Sequence, residues 1–335
     1  MDIVVLCGGN STEREVSISS GYNVCQALRE KNHNAILMDV FFGMDNCDIF
    51  ETSKNTYDVT KEKDYIKSLS TKVKETEGKR KSFFGNNVIE ICKKADIVFL
   101  ALHGKNGEDG KCQAAFDLYG IKYTGSGHLA SAMGMDKAVT KQIFMSKGVP
   151  TAKSVWVKKG EDTDLNRLNM SLPLVVKACN GGSSVGVVLV KDEKDYQNAV
   201  EECFKYDNEI LIEDFIEGRE FSIGVLNGKA LPIVEIIPRE GWYDYENKYK
   251  DGATTHVCPA NLSDELTEKM QQVAVDACDA IGCSLCSRAD VMMDKAGNMF
   301  CLEVNTLPAL CIRTCALGGG GRALASRASG APCGG

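Results

Sequence analysis

Lys177 ends an apolar run, Pro173-Leu-Val-Val-Lys177, and leads into Ala178-Cys-Asn-Gly-Gly-Ser-Ser-Val-Gly186. A strand ending in lysine, then a Gly/Ser loop, then another strand suits a hairpin that covers phosphates. Glycines let backbone N–H groups approach closely, serine hydroxyls donate further bonds, and the lysine supplies a point charge. The stretch is not a Walker A loop, which needs G-K-[ST] ahead of a helix. Taken alone, it also reads as a plain turn.

A second cluster pairs Arg288-Ala-Asp290 with Glu303-Val-Asn305. Residues two apart on a strand face the same side, so each pair shares a face. If the two strands pair across Asp294-Lys-Ala-Gly297, the oxygens of Asp290, Glu303 and Asn305 converge. Such hard donors suit Mg²⁺ held jointly with nucleotide phosphates. The competing reading is a solvated strand face with one salt bridge. A third cluster, Ala101-Leu-His103-Gly-Lys-Asn-Gly-Glu-Asp-Gly110, follows a strand, where open α/β sheets place ligand loops. His103 there could equally be a solvated loop histidine. The fourth is Gly8-Gly-Asn-Ser-Thr-Glu13-Arg-Glu-Val-Ser17. It lacks the later glycines of a dinucleotide fingerprint, and its acid near a helix start would repel a pyrophosphate. Glu13 suits a substrate ammonium, or a helix cap.

The elements that position these residues follow from periodicity. Ile3–Cys7, Ala35–Val40 and Ile97–Leu102 read as strands, and the helix after Gly9 should bury Ile18, Gly21, Cys25 and Leu28. Residues 52–81 are charged and weakly periodic, a surface excursion with one exposed helix. Alternating strands and helices imply a parallel sheet covered on both faces. Asp136 heads a helix with Val139, Ile143 and Phe144 on one face. Strands follow at 154–157, 174–177 and 186–190, with a helix over 194–205. A third region opens at Ile210–Glu213 and contains a polar loop at 241–259. Its helix is capped by Ser263 and faces inward through Leu266, Met270, Val273 and Ala277. Two strands close it, 289–293 and 299–304.

The 335 residues suffice for two or three packed domains. The 44% apolar and 25% charged residues are ordinary for a globular protein, and a net charge of −7 disfavours nucleic-acid and membrane partners. No apolar run is long enough to span a bilayer, and MDIVVLCGGN does not read as a signal peptide. Fifteen cysteines, odd in number and scattered, argue against a disulfide framework. Cys7, Cys25, Cys92, Cys278 and Cys301 sit in apolar runs as small hydrophobes. Cys283 and Cys286 form a lone C-x-x-C, read as packing rather than metal or redox chemistry. A reducing compartment, hence the cytoplasm, is expected.

In order, GGNSTEREVS, LHGKNGEDG, YTGSG with SAMGMDK, VVKACNGGSSVGV, WYDYENKYKDGATTH, SRADVMMD and LEVNTLP resemble the D-alanine–D-alanine ligases of the ATP-grasp superfamily. The resemblance covers residues 1 to about 308. It implies an α/β fold, an N-terminal open α/β sheet domain over residues 1–122 followed by a two-part ATP-grasp domain. Its parts would span 123–208 and 209–317, with a low-complexity, disordered tail at 318–335. It also implies ATP-dependent ligation of two D-alanines through a D-alanyl phosphate, for peptidoglycan precursors. ATP would be co-substrate, with two Mg²⁺ or Mn²⁺ ions as cofactors and a homodimer as the candidate assembly.

By the same resemblance, Lys137, Lys177 and Ser184 would hold ATP phosphates, and Lys248 would reach the γ-phosphate. Glu213 and Ile216 would contact adenine, and Glu220 the ribose. Asp290, Glu303 and Asn305 would bind the metal ions. Glu13 would hold the first D-alanine ammonium beside His103, and Ser183 and Tyr249 would join Glu13 in a hydrogen-bonded triad. Arg288 would bind the acyl phosphate and the later oxyanion. The 241–259 loop would act as a lid over a water-sensitive intermediate.

Two departures stand out. Ala178 replaces the family's proline after the phosphate lysine. From Pro308 the chain reads Pro-Ala309-Leu-Cys-Ile-Arg-Thr314-Cys instead of Pro-Gly-Met-Thr. Ala309 would stand for the glycine whose N–H meets the oxyanion, and Thr314 for the serine that holds the second carboxylate. Residues 318–335 contain seven glycines and one large apolar side chain, Leu324, so no helix there can bury a face. Weak activity is expected for that reason. The alternatives are a D-alanine–D-serine ligase and a nucleotide-binding homologue inactivated by its tail. A dinucleotide oxidoreductase is disfavoured by GGNSTE and the acidic strand pair.

Overall fold

Ile3–Cys7 is apolar throughout, the pattern of a strand buried on both faces, and β1 (Asp2–Cys7) lies at the centre of a parallel sheet. The structure is a computed structural model and describes residues 1–182, 186–239 and 254–307. β1 is flanked by β2 (Asn34–Asp39) and β3 (Ile97–Leu100), with Val4 opposite both Ile36 and Val98. Leu6, Met38, Leu100 and Phe116 fill the core beneath them. This sheet belongs to the first of two compact units, Met1–Ala132 joined by Leu307; the second comprises Met133–Thr306.

In the first unit, α1 (Arg14–Glu30) buries Ile18, Gly21 and Cys25 as its spacing predicts, but Leu28 is only half-buried and Val24 takes the inner place. Gly21 is required there, since a Cβ would come within 2.6 Å of the Cys7 side chain. The charged stretch 52–81 is more structured than its composition predicts. It contains α2 (Ile49–Thr56), α3 (Val59–Ser68), a 3₁₀ turn (Leu69–Lys72) and α4 (Val73–Lys79). Val59, Ile66 and Leu69 are buried, at helical spacings hidden among lysines and glutamates. α5 (Val88–Lys94), α6 (Lys111–Tyr119) and α7 (His128–Met135) complete the helices that precede the second unit's sheets.

The second unit has two antiparallel sheets. One orders β4 (Ser154–Lys158), β7 (Glu209–Asp214), β5 (Leu174–Ala178) and β6 (Val187–Val190) side by side. Ile210–Glu213, read from sequence as the opening of a third region, therefore lies between β4 and β5, with Glu213 opposite both Ser154 and Val175. α8 (Lys137–Lys147) and α9 (Glu193–Cys203) flank these strands in the chain. Asp136 caps α8 through its side chain, accepting from the Ala138 and Val139 N–H groups. The expected inner face of α8 is displaced. Val139 is exposed, Ile143 half-buried, and Ala138, Thr140, Lys141 and Phe144 are buried. Lys141, a charged residue, lies on that buried face and is described below.

The other sheet orders β11 (Thr254–Val257), β10 (Val234–Pro238), β8 (Gly218–Leu226), β12 (Cys286–Asp294) and β13 (Met299–Asn305), with β9 (Lys229–Ala230) on β8. α10 (Asp264–Ile281) is capped by Ser263, which accepts from the Leu266 N–H. It buries Met270, Val273 and Ala277 as expected, and leaves Leu266 half-buried. At the 294–297 turn, Asp294 accepts from the Ala296 and Asn298 N–H groups. Cys7, Cys25, Cys92, Cys278 and Cys301 are all buried. Burial pushes the Cys25 thiol up to about 12, so it packs as an uncharged group.

Candidate active site

In the first unit, the loop from Gly8 to Glu13 is fixed by a buried ion pair. Arg14 Nη2 lies 2.5 Å from Asp39 Oδ2, and both side chains are almost fully buried. Arg14 also donates to Gly9 O at 2.6 Å, to Ile66 O at 3.1 Å and, through Nε, to Ser70 Oγ at 3.1 Å. Asp39 Oδ1 accepts from the Phe41 N–H at 2.8 Å and, more weakly, from those of Gly9 and Phe42. Gly8 adopts φ +75°, and a Cβ there would meet Asp39 at 2.6 Å, so only glycine fits.

That loop brings Glu13 to His103. Ser11 Oγ donates to His103 O at 2.6 Å and accepts from the Glu13 N–H at 3.2 Å. Glu13 Oε2 lies 2.9 Å from where a Cβ on Gly104 would stand, so the carboxylate lies beside the His103-Gly104 backbone. Ser20 Oγ is 3.4 Å from His103 Nε2, and Glu108 is 3.7 Å from Nδ1. Glu13 occupies the N-cap position of α1 without a side-chain capping bond. An acid thus stands at the start of α1 beside a histidine, at the carboxyl end of a parallel sheet.

In the second unit, Lys177 on β5 and Glu213 on β7 form a buried ion pair, Nζ to Oε1. The other oxygen, Oε2, lies 2.7 Å from Lys141 Nζ, a contact without hydrogen-bond alignment. Burial alone would raise the Glu213 carboxyl, but the two lysines outweigh it and hold it at about 2. Burial pushes the Lys141 ammonium down, partly offset by Glu213. Lys137 Nζ donates to Gly181 O at 2.6 Å, tying the start of α8 to the Gly/Ser loop. Ile216 and Glu220 are half-buried, Ile216 in the β7–β8 connection and Glu220 on β8 opposite Met292.

The same unit holds the acidic strand pair. β12 and β13 pair so that Arg288 faces Asn305 and Asp290 faces Glu303, with a bulge after Asp290. Arg288 grips Asp290 with two nitrogens, Nε to Oδ1 at 3.0 Å and Nη2 to Oδ2 at 2.9 Å. Ser222 Oγ on β8 donates to Asp290 Oδ1 at 2.8 Å, and Asn305 Nδ2 donates to Oδ2 at 3.3 Å. Asp290 is buried, while Arg288, Glu303 and Asn305 are half-buried, and the single salt bridge of the competing reading is the Arg288–Asp290 pair. Ser183, Ser184, Lys248, Tyr249, Ala309 and Thr314 lie outside the described residues.

Sequence reasoning missed Lys141, Ser222 and the Arg14–Asp39 pair. Lys141 had a signal, since it follows Lys137 by one helical turn and so lies near its face. Asp39 had none, because it ends a strand as an ordinary polar residue would.

Two antiparallel sheets, one bearing Lys177 and Glu213 and the other Asp290 and Glu303, are the ATP-grasp fold. The family profiles described as D-ala D-ala ligase N-terminus and D-ala D-ala ligase C-terminus match residues 2–126 and 143–313. The chain is 41% identical over 317 residues to the D-alanine–D-alanine ligase of Pediococcus pentosaceus, covering 92% of this chain and 90% of that one. Among solved structures, the D-alanine–D-alanine ligase from Bacillus anthracis aligns with a TM-score of 0.70 at 31% identity, over 92% of this chain and 88% of that one. The VanG D-Ala:D-Ser ligase from Enterococcus faecalis aligns with a TM-score of 0.69 at 27% identity, over 92% and 90%. The chain belongs to the D-alanine–D-alanine ligase family.

Proposed function

We propose that this protein joins two D-alanines at the expense of ATP, for cell-wall precursors, and that the residues above divide the work. The observation that supports this most is the acidic strand pair, in which a buried aspartate faces a glutamate and is gripped by an arginine. An oxygen of the first D-alanine carboxylate attacks the γ-phosphorus and ADP leaves, giving an acyl phosphate. The amine of the second D-alanine then attacks the acyl carbon, loses a proton, and phosphate departs with the attacking oxygen. Phosphoryl transfer of this kind needs positioning and charge neutralisation more than covalent help.

Lys177 and Lys137 bind the polyphosphate. Glu213 and Ile216 take adenine, the role the family pattern gives them, while the Oε2 of Glu213 is buried against the Lys141 ammonium. Glu220 takes the ribose. Glu13 beside His103 holds the ammonium of the first D-alanine, and Arg288 stabilises the oxyanion. Ser183, Ser184, Lys248, Tyr249, Ala309 and Thr314 keep the roles the family pattern gives them. Asp290, Glu303 and Asn305 are hard oxygen donors, but Arg288, Ser222 and Asn305 together occupy both oxygens of Asp290, so a cation there would displace some of these bonds. They fit Mg²⁺ or Mn²⁺, which when bound would neutralise phosphate charge. No helix among the described residues is long and apolar enough to cross a membrane. Buried, uncharged thiols suit the cytoplasm.

D-Serine as second substrate has less support, since the curated relatives at 36–41% identity are named D-alanine–D-alanine ligases. The test is phosphate release from ATP with D-alanine, L-alanine, or D-alanine plus D-serine. Release with D-alanine alone, abolished by EDTA, is expected. Equal release with L-alanine overturns the reading.

A further inference from the structure

α8 and β7 hold a charge that the ligation scheme leaves unused. Lys141 is 1% exposed, yet its ammonium lies 2.7 Å from Glu213 Oε2. Glu213 is also buried, and its other oxygen is taken by Lys177. One carboxylate thus faces two ammoniums in a low-dielectric interior. Burying a lysine is costly, and an apolar side chain on the inner face of α8 would avoid the cost. The retained charge needs a reason.

The reason lies in the charge count. Two ammoniums and one carboxylate leave a net positive charge on the trio. Glu213 Oε1 already holds Lys177 along β5 and β7; with Lys141 removed, it would also neutralise Lys177 alone. Lys177 would then meet polyphosphate with its charge already matched. We propose that Lys141 is a positioning residue for nucleotide binding: its ammonium, 2.7 Å from Glu213 Oε2, offsets the carboxylate that Lys177 shares, so that the trio keeps a net positive charge for phosphate. This rests on the reading of Lys177 as a phosphate ligand. Lys141 itself touches no nucleotide and acts only through Glu213.

The experiment is a double-mutant cycle on the full chain, with KM for ATP and KM for D-alanine measured separately. Lys141→Met is expected to raise KM for ATP at least tenfold while leaving KM for D-alanine within twofold. Lys141→Arg, which keeps the charge, should recover most of the loss. Once Glu213 is neutral, Lys141 has nothing to satisfy, so Lys141→Met/Glu213→Gln should match Glu213→Gln in KM for ATP within threefold. If Lys141→Met does not fold, that comparison decides on variants shown to be folded by circular dichroism, because the double variant buries no unpaired carboxylate whereas Glu213→Gln leaves the Lys141 ammonium without a carboxylate partner. A folded Lys141→Met with KM for ATP within twofold of the parent overturns the proposal, as does a double variant more than threefold worse than Glu213→Gln. Lys177→Met separates the two levels. If it leaves KM for ATP unchanged, the nucleotide reading itself falls; if it impairs ATP binding and Lys141→Met does not, only the role of Lys141 falls.

Discussion

Arg14→Met removes one partner of a buried pair and leaves Asp39, 1% exposed, as an uncompensated charge. Breaking such a pair costs roughly 3–5 kcal/mol, more than most single substitutions. The Gly9 and Ile66 carbonyls lose donors as well, so the upper half of that range is expected. At about 2–4 °C per kcal/mol for a mid-sized domain, the melting temperature should fall by on the order of 10 °C. Adding Asp39→Asn removes the stranded charge while keeping an oxygen that can accept from the Phe41 N–H. The double variant should therefore recover at least half of the loss. Thermal and urea unfolding near neutral pH measure both. Glu13 directly precedes Arg14, so KM for D-alanine should rise in the single variant even where it remains folded. An Arg14→Met protein within about 1 kcal/mol of the parent would refute the claim that this pair organises the loop.

Glu213 offers a test by pH. Its carboxyl is held at about 2 in the fold against an ordinary value of 4.5, so it contributes stability above about pH 4.5 that is lost as pH falls toward 2. The shift is worth at most about 3 kcal/mol, because the desolvation of Lys141 opposes it. Unfolding curves from pH 5 to pH 3 should show a steeper loss for the parent than for Glu213→Gln; parallel curves would contradict the assignment. Arg288→Lys replaces a two-pronged grip on Asp290 by a single point charge, and turnover should fall by roughly a hundred- to thousandfold with ATP binding retained. A turnover within threefold of the parent would remove Arg288 from the chemistry. Replacing residues 309–335 with a Gly-Met-Thr segment and an amphipathic helix should raise both turnover and soluble yield. No change in either would show that the divergent tail does not limit the enzyme.

The strand pair was legible because its information is local. Residues two apart share a face and Asp294-Lys-Ala-Gly297 provides the turn, so the pairing of the two strands was legible, but the facing of Asp290 and Glu303 depends on the bulge after Asp290, which shifts the register set at Met293 and Met299. Asp136 as the cap of α8 was legible for the same reason. Lys141 was legible only in its place one helical turn after Lys137; periodicity assigns a lysine to the outer face, and only the position of Glu213 on a distant strand reverses that. Residues 52–81 failed similarly: Val59, Ile66 and Leu69 are few, and their burial depends on packing against α1 and β2 that local composition does not encode. The place of β7 depends on antiparallel partners 32 or more positions away, which strand propensity cannot supply. The meeting of Glu13 with Gly104 is likewise a product of topology, since parallel strands set their following loops side by side.

The acyl phosphate is the centre of the account, and oxygen labelling tests it most directly. D-Alanine carrying ¹⁸O in its carboxylate is turned over with unlabelled ATP, and the released phosphate is analysed by mass. Attack of the carboxylate on the γ-phosphorus, followed by departure of phosphate from the acyl carbon, carries one labelled oxygen into each phosphate. Dipeptide formed together with unlabelled phosphate would contradict the mechanism.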